Sequence, residues 1–333
     1  MHVLVVGGTG FLGYHAVEEF LRRHYLVTVL ALPPLPTPDL LPATVVTKLV
    51  DLNSLDDDNV RLLLEGKDAV VYAAGADDRV LPPSPAYPFF YQANVEPFVR
   101  LVKLGCEVGV KCGVLLSSYF AYFDRIWPEK RLADYHPYIR SRREQAAQAF
   151  EAAGPDFDLK VLELPFIFGT MPGRIPLWAP LIDYICSPFP LVYIRGGTNA
   201  ISAKSVGEAI VGAVENGVRG RYVIGDENIT WADLLTRLCD LTGQRKRLLY
   251  VPPGIIKAVM IALKLSHQMQ GKEAGLNPVK ITDILTSELY FDPISSRETL
   301  GYGGGDLNQA LKDTVEACKN SRDELMRESK RSA

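Results

Sequence analysis

The stretch "HVLVVGGTGFLG", residues 2–13, decides the fold. Val3 to Val6 form an unbroken apolar run that stops at two glycines, the pattern of a strand covered on both faces of a parallel sheet. A helical spacing begins directly afterwards, with Val17, Phe20 and Leu21 at three- and four-residue intervals. At the join, Gly7, Gly10 and Gly13 make G-x-x-G-x-x-G. Gly7 permits the tight turn, Gly10 lets the main chain approach a pyrophosphate, and Gly13 lets the helix pack on the sheet. The helix N-terminus adds free N–H groups and a positive dipole. A glycine-rich turn without a ligand is the plainer alternative, but the strand before and the helix after weigh for nucleotide binding. No G-x-x-x-x-G-K-S/T occurs, so a P-loop is excluded.

Outward from this turn, further buried strands read at "LVTVLAL" (26–32), "ATVVTKLVD" (43–51), "KDAVVYAAG" (67–75), "CGVLLSS" (112–118) and "LKVLELPFIFG" (159–169). Helix-length segments separate most of them, which predicts an α/β fold, a Rossmann-type doubly wound parallel sheet. Proline-rich loops stand at strand ends, where the crevices of such sheets open. After about residue 170 the pattern changes. "TWADLLTRLCDLTG" (230–243) reads as an amphipathic helix capped by Thr230, with Leu234, Leu235, Leu238 and Leu241 on its apolar face and Gly243 as its stop. The expected organisation is a dinucleotide-binding domain over 1–170, to which 200–218 returns. A smaller α/β substrate lobe spans 171–199 and 219–317, and a charged tail over 318–333 frays into solvent.

Composition narrows the function classes. With 47% apolar and 23% charged residues in 333, the chain has the balance of an ordinary soluble protein. Its 36 Lys and Arg against 39 Asp and Glu give no basic field for nucleic acid. The five cysteines (Cys106, Cys112, Cys186, Cys239 and Cys318) are odd in number and never spaced as CxxC. That argues against a disulfide framework or zinc site and fits a reducing compartment. His2, His15, His24, His136 and His267 lack metal-ligand spacing, so no metal is expected. Met1 leads directly into a strand pattern with no leader signal. The most apolar stretch, "GIIKAVMIALKL" (254–265), holds two lysines and is too short to span a bilayer. It reads equally as lobe core, pocket lining or the surface of a homodimer. The expectation is a cytoplasmic protein acting on a small molecule.

"VLVVGGTGFLG", "VDLNS" (50–54), "DAVVYAAG" (68–75), "YQANV" (91–95), "VLLSSYFAYF" (114–123), "PYIRSRRE" (137–144) and "LPFIFG" (164–169) follow in order. Together they resemble the extended short-chain dehydrogenase/reductases, the NAD-dependent epimerase/dehydratase family, over nearly the whole chain. "AISAKSVGEAIVGAVE" (200–215) resembles that family's segment returning to the sheet. "LYFDPISSRETLGY" (289–302) resembles the C-terminal stretch of its 3β-hydroxysteroid-dehydrogenase-like and dihydroflavonol-reductase-like members.

The resemblance implies roles for particular residues. Gly7, Thr9, Gly10, Phe11, Leu12 and Gly13 hold the dinucleotide, with Asp51 and Leu52 against adenine. Ala73, Ala74 and Gly75 line the crevice beside the ribose and phosphates, and Asn94 fixes the central helix. Ser118, with Ser117 beside it, matches the catalytic Ser/Thr; Tyr138 matches the catalytic tyrosine and Arg142 the lysine four positions on. Pro165 and the residues after it, Ile167 included, approach the nicotinamide. The residue chemistry agrees. A tyrosine's ordinary pKa near 10 makes it a poor base at neutral pH, a nearby cation lowers that value, and a serine hydroxyl can bind the same substrate oxygen. On a helix, positions four apart share a face. Separately, Tyr138 reads as a packing aromatic and Ser118 as a strand-end cap.

Two departures bear on function. Arg142 keeps its charge and can bind a ribose hydroxyl, but it cannot readily lose a proton as lysine does. Leu164 precedes Pro165 where many family members have arginine, which removes an anchor for a nucleotide-sugar phosphate. The end of the second strand, "VLALPP" (29–34), offers neither an acid for a ribose 2′-hydroxyl nor an arginine for a 2′-phosphate, so the cofactor reads as NAD or NADP. Asp77 and Asp78 read as solvated turn residues or substrate contacts. The leading expectation is an NAD(P)-dependent oxidoreductase, epimerase or dehydratase acting on a secondary alcohol or carbonyl, sugar-nucleotide or sterol-like. The alternatives are a dinucleotide-binding structural or redox-sensing protein with little turnover, and a scaffold subunit with an empty crevice.

Overall fold

The computed structural model describes residues 1–331, with side chains through Arg322. Strands β1 (His2–Val6), β2 (Leu26–Ala31), β3 (Val46–Leu49), β4 (Ala69–Tyr72), β5 (Cys112–Ser118) and β6 (Asp158–Leu164) pair in parallel in the order β3-β2-β1-β4-β5-β6. Downstream lie β7 (Phe166–Phe168), β8 (Leu191–Tyr193), β9 (Gly197–Ser202), β10 (Gly220–Val223), β11 (Glu227–Thr230), β12 (Leu248–Tyr250) and β13 (Glu288–Leu289). The expected doubly wound sheet is present, and β10 adds a seventh parallel strand beside β6. The short sequence Gly-Arg-Tyr-Val of β10 carries too little pattern to be separated from its flanking loops.

Side chains alternate across a strand, and β1 shows how the two layers arise. Val3 and Val5 join one core with Val17 and Phe20 of the helix Phe11–Arg22 and with Val206 and Ile210 of the helix Ala203–Glu215. Leu4 and Val6 join the opposite core with Phe98 and Leu101 of the helix Glu96–Glu107 and Ala149 of the helix Pro137–Ala153. Phe20 and Phe98 are fully buried, and each such side chain contributes roughly 1.5–3 kcal/mol.

The stretch read as one strand over 159–169 is two. Pro165 has no N–H to give to a ladder and breaks it. β6 stays in the large sheet, while β7 pairs with β9 in a smaller sheet that also holds β11 and β13. β8 and β12 form a separate parallel pair. The helix Trp231–Thr242 has the expected ends: the Thr230 hydroxyl accepts from the Asp233 N–H at 3.0 Å, and Gly243 is left-handed.

The segment read as a frayed tail instead continues, through Arg331, the helix Leu307–Arg331; Ser332 and Ala333 lie outside the described residues. Leu307, Leu311, Val315 and Cys318 recur on one face of it and are buried against Leu238 and Phe168, which gives this helix its seat. The apolar stretch 254–265 lies in the helix Pro253–Met269, which buries none of its residues and is not lobe core. No helix among the described residues is long and apolar enough to cross a membrane. All five cysteines are free, and no cluster of His, Cys, Asp or Glu among the described residues is placed to hold a metal.

Candidate active site

The order of the large sheet reverses between β1 and β4, and a cleft of about 440 Å³ opens there at the carboxyl ends of the strands. Gly7, Thr9, Gly10, Asp51, Leu52, Ala73, Ala74 and Gly75 all line it, together with Ala31 and Leu32 at the end of β2. The glycines are there for close approach. A Cβ on Gly13 would stand 2.1 Å from the Gly7 carbonyl oxygen, and one on Gly7, at φ +83°, would stand 2.7 Å from the Ala73 oxygen. Gly10 lines the cleft as the N-cap of the helix Phe11–Arg22, and no side chain caps the first N–H groups of that helix. The adjoining small cavity gathers Phe11 and Ile167 with Gly169 and Thr170, while Leu12 packs against the sheet core.

Ser118, Tyr138 and Arg142 do not line the cleft; they lie beyond its Ala76 end. Ser118 closes β5 and its hydroxyl accepts from the Phe120 N–H at 3.2 Å, so it is a cap, as its separate reading has it, and a neighbour of Tyr138 as well. Tyr138 sits in the first turn of the helix Pro137–Ala153, buried edge-on to Phe90, with its N–H donating to the Gly275 carbonyl at 3.0 Å. Arg142 stands one turn on, its guanidinium carbon 5.2 Å from the Tyr138 ring centre. It donates to Gln145 at 3.0 Å and to the Ala76 carbonyl at 3.3 Å, while its Nε–H is buried without a partner. The Ser117 hydroxyl is buried and unpartnered too.

Asn94 holds this arrangement together. It is fully buried in a short π-helical turn, Tyr91–Val95, of the kind often found at functional sites. Its side chain accepts from the Ala76 N–H at 2.8 Å and donates to the Ala76 carbonyl at 3.2 Å and to Ser141 at 3.3 Å. It thereby joins the loop after β4 to the helix of Tyr138 and Arg142, rather than lining the cleft. Pro165 stands between β6 and β7 and lines neither the cleft nor the small cavity, which Ile167, two residues on, does line.

The electrostatics are a balance. Burial pushes the Tyr138 phenol above its ordinary value; the Arg142 guanidinium is the largest opposing influence, Asp78 pushes the phenol further up, and the Ser118 hydroxyl helps lower it. Arg142 acts in the expected direction but does not win in this closed setting. Burial likewise raises the Asp78 carboxyl, reinforced by Asp77 and opposed by Arg79 and Arg142. His136 is structural: its Nδ1 accepts from the Asn277 N–H at 3.0 Å, and burial lowers its pKa to about 4.

Sequence reasoning missed three participants. Arg174, exposed, lines both the cleft and the small cavity beside Phe11. Gly173 presses against the carbonyl of Pro36, at 2.6 Å from a Cβ placed there, so this segment lies against the loop after β2. Ala76 and Gly275 act through main-chain oxygens, which leave no residue-type signal in sequence.

Known proteins resemble this chain along nearly its whole length. A candidate dihydroflavonol 4-reductase of Synechocystis sp. is 22% identical over 331 residues, 95% of this chain and 94% of that one. The crystal structure of gox2253 superposes with a TM-score of 0.78 at 19% identity, over 96% of this chain and 98% of that one. The UDP-glucose 4-epimerase of Thermotoga maritima, solved with UDP-glucose, gives 0.70 at 17% identity, over 96% and 99%. The UDP-glucuronic acid 4-epimerase of Bacillus cereus, solved with NAD, gives 0.68 at 15%, over 96% and 99%. At such identities the structural likeness speaks to the fold alone. Residues 3–173, more than half of the chain and the part that builds the cleft, match the NAD dependent epimerase/dehydratase family, and the chain belongs to that family.

Proposed function

We propose that the protein binds NAD(P) in the cleft at β1 and β4 and interconverts a secondary alcohol and a carbonyl. The dinucleotide suits the residues present: a glycine cradle that any Cβ would fill, uncapped helix N–H groups, and the unpartnered Arg142 Nε–H and Ser117 hydroxyl beyond the cleft. Gly7, Thr9 and Gly10 would hold the pyrophosphate, Asp51 and Leu52 the adenine, and Arg142 a ribose hydroxyl. Once bound, the cofactor supplies a hydride donor or acceptor. The chain does the rest: Ser118 positions the substrate oxygen, and Tyr138 gives or takes its proton at the phenol oxygen. Arg142 stabilises the phenolate without exchanging a proton itself.

The observation that carries this reading is the convergence of Ser118, Tyr138 and Arg142 at the end of a cleft shaped for a dinucleotide. A less polar alcohol or ketone fits better than a nucleotide-sugar. Tyr138 packs in an apolar cluster with Phe90, Phe120 and Phe291, and by the family resemblance Leu164 replaces an arginine that many members have before the proline. Calorimetry with NAD, NADH, NADP and NADPH, followed by turnover against hydroxysteroids, aryl ketones and nucleotide-sugars, tests it. Failure to bind any of the four at millimolar concentration would refute the reading.

A second reading, a dinucleotide-binding protein with little turnover, is favoured by one observation. The Tyr138 phenol is raised rather than lowered, beneath the Gly275 main chain. Binding without turnover on the whole panel would select it.

A further inference from the structure

The helix Pro253–Met269 is built inside out. Its half-buried side carries Ile256, Lys257, Met260, Lys264 and His267. Lys257 pairs there with Asp283 at 2.6 Å. The opposite side presents Ile255, Val259, Ile261, Leu263, Leu265 and Met269, from 42% to 89% exposed. Successive residues advance about 100°, so these six form one broad stripe. A surface helix of a globular protein normally turns such a stripe inward; one turned outward marks a surface that meets a partner. Leu249 and Tyr250, also exposed, lead into it.

Charge identifies the partner. Between Gln244 and Lys272 the chain has no Asp or Glu, and besides Lys257, which is paired with Asp283, and the half-buried Lys264 it carries Arg245, Lys246, Arg247 and Lys272, in a chain whose net charge is −3. Arg245 and Arg247 are exposed, and Lys246 is tied to the Ser187 and Phe189 carbonyls beside the exposed Phe189 ring. A second copy of the chain meeting this face on itself would bring two such basic stretches together. An anionic lipid surface accepts both features, the apolar stripe among its acyl chains and the basic residues among its headgroups. The helix is too short and too charged to cross a bilayer and would lie along it. We propose that the helix Pro253–Met269, with Arg245 and Arg247 before it, docks the protein on an anionic membrane surface.

Flotation of the full chain with vesicles of phosphatidylcholine, alone or mixed with phosphatidylglycerol, tests this. The protein should float with the mixed vesicles, less with the neutral ones, and be released by salt. Ile261→Glu/Leu265→Glu should abolish flotation and leave the circular-dichroism melt unchanged, since neither side chain is buried. Arg245→Glu/Arg247→Glu should weaken binding to mixed vesicles by about tenfold or more and leave neutral vesicles unaffected. Absence of flotation, or equal flotation of Ile261→Glu/Leu265→Glu, overturns the proposal. So does a dimer by light scattering that this variant converts to monomer while vesicles bind neither form, because the stripe then belongs to a second copy. None of these outcomes depends on cofactor binding.

Discussion

Arg142 donates to the carbonyl oxygen of Ala76 at 3.3 Å, so the cation one helical turn beyond Tyr138 is tied to the loop at the end of β4. Asn94 grips both main-chain groups of the same Ala76. Three elements thus fix where the charge sits: the helix that carries it, the loop it reaches and the π-helical turn that holds the loop. A lysine at position 142 would have a point charge on a flexible stem in place of this planar fork.

Asn94→Ala should therefore act on both stability and binding. It strands the part-buried Ala76 N–H, at a cost of about 1 kcal/mol, and loosens the edge of the cleft. Urea denaturation and cofactor calorimetry on the variant check it. Full stability with unchanged affinity would mean that Asn94 does not hold the loop.

Gly13→Ala places a Cβ 2.1 Å from a backbone oxygen, which cannot yield as a side-chain tip can. Helix and turn must separate, and dinucleotide binding should be lost. Gly66→Ala, where nothing lies within 4 Å of the added carbon, should cost only the strain of its positive φ, about 1 kcal/mol, and leave binding intact. Equal affinities for the two variants in the same titration would show that the glycine turn is not the binding element.

Arg174→Ala should weaken both NAD and NADP by roughly fivefold, the worth of an exposed charged contact, with NADP losing more. The residue lines the cleft shared with Leu32 at the end of β2, where a 2′-phosphate would lie. Unchanged affinity for both cofactors removes Arg174 from the site.

Legibility in the sequence follows the range of the interactions. β1, β2, β4 and β5 are continuous apolar runs because helices cover both faces, and the Thr230 cap and Gly243 stop are local chemistry; all were readable. The glycine turn and the Tyr138–Arg142 spacing were readable for the same reason, being set within one turn of chain. Arg174 reaches the cleft only because Gly173 packs on Pro36, 137 residues earlier, and no local pattern records that contact. The break at Pro165 was present in the sequence, but strong apolar residues on both sides masked it. The outward-facing helix at 253–269 could not be told from core, because periodicity gives a stripe and not its direction.

His136 should make the fold sensitive to mild acid. It is buried and neutral, with a folded pKa of about 4 against an ordinary 6.5. The unfolded chain takes up its proton first as pH falls, so this contribution is complete above about 6.5 and is lost progressively toward 4. The slope is about 1.4 kcal/mol per pH unit. Unfolding free energies of the wild type and His136→Asn at pH 7.5 and 5 isolate it, since His15 contributes equally to both proteins. If the two lose stability in parallel, His136 is not the group responsible.

Tyr138 and Arg142 give the decisive comparison. If the proposed chemistry operates, Tyr138→Phe removes the phenol that exchanges the proton of the substrate oxygen and should lower kcat by about 10²–10⁴, while cofactor affinity stays near that of the wild type. Arg142→Ala should weaken both, because it removes the charge opposing the burial of the phenol and the ribose donor together; the Tyr138 phenol then rises further and its pH–rate limb moves to higher pH. Arg142→Lys keeps a charge, and restores an ammonium able to exchange a proton, so it should match or exceed the wild-type rate. Turnover and pH profiles of these four proteins on one panel separate the cases. Activity in Arg142→Lys alone would mean that arginine has silenced an ancestral site and that the low-turnover reading is right. A wild type that turns over no faster than Tyr138→Phe would place the acid–base group elsewhere.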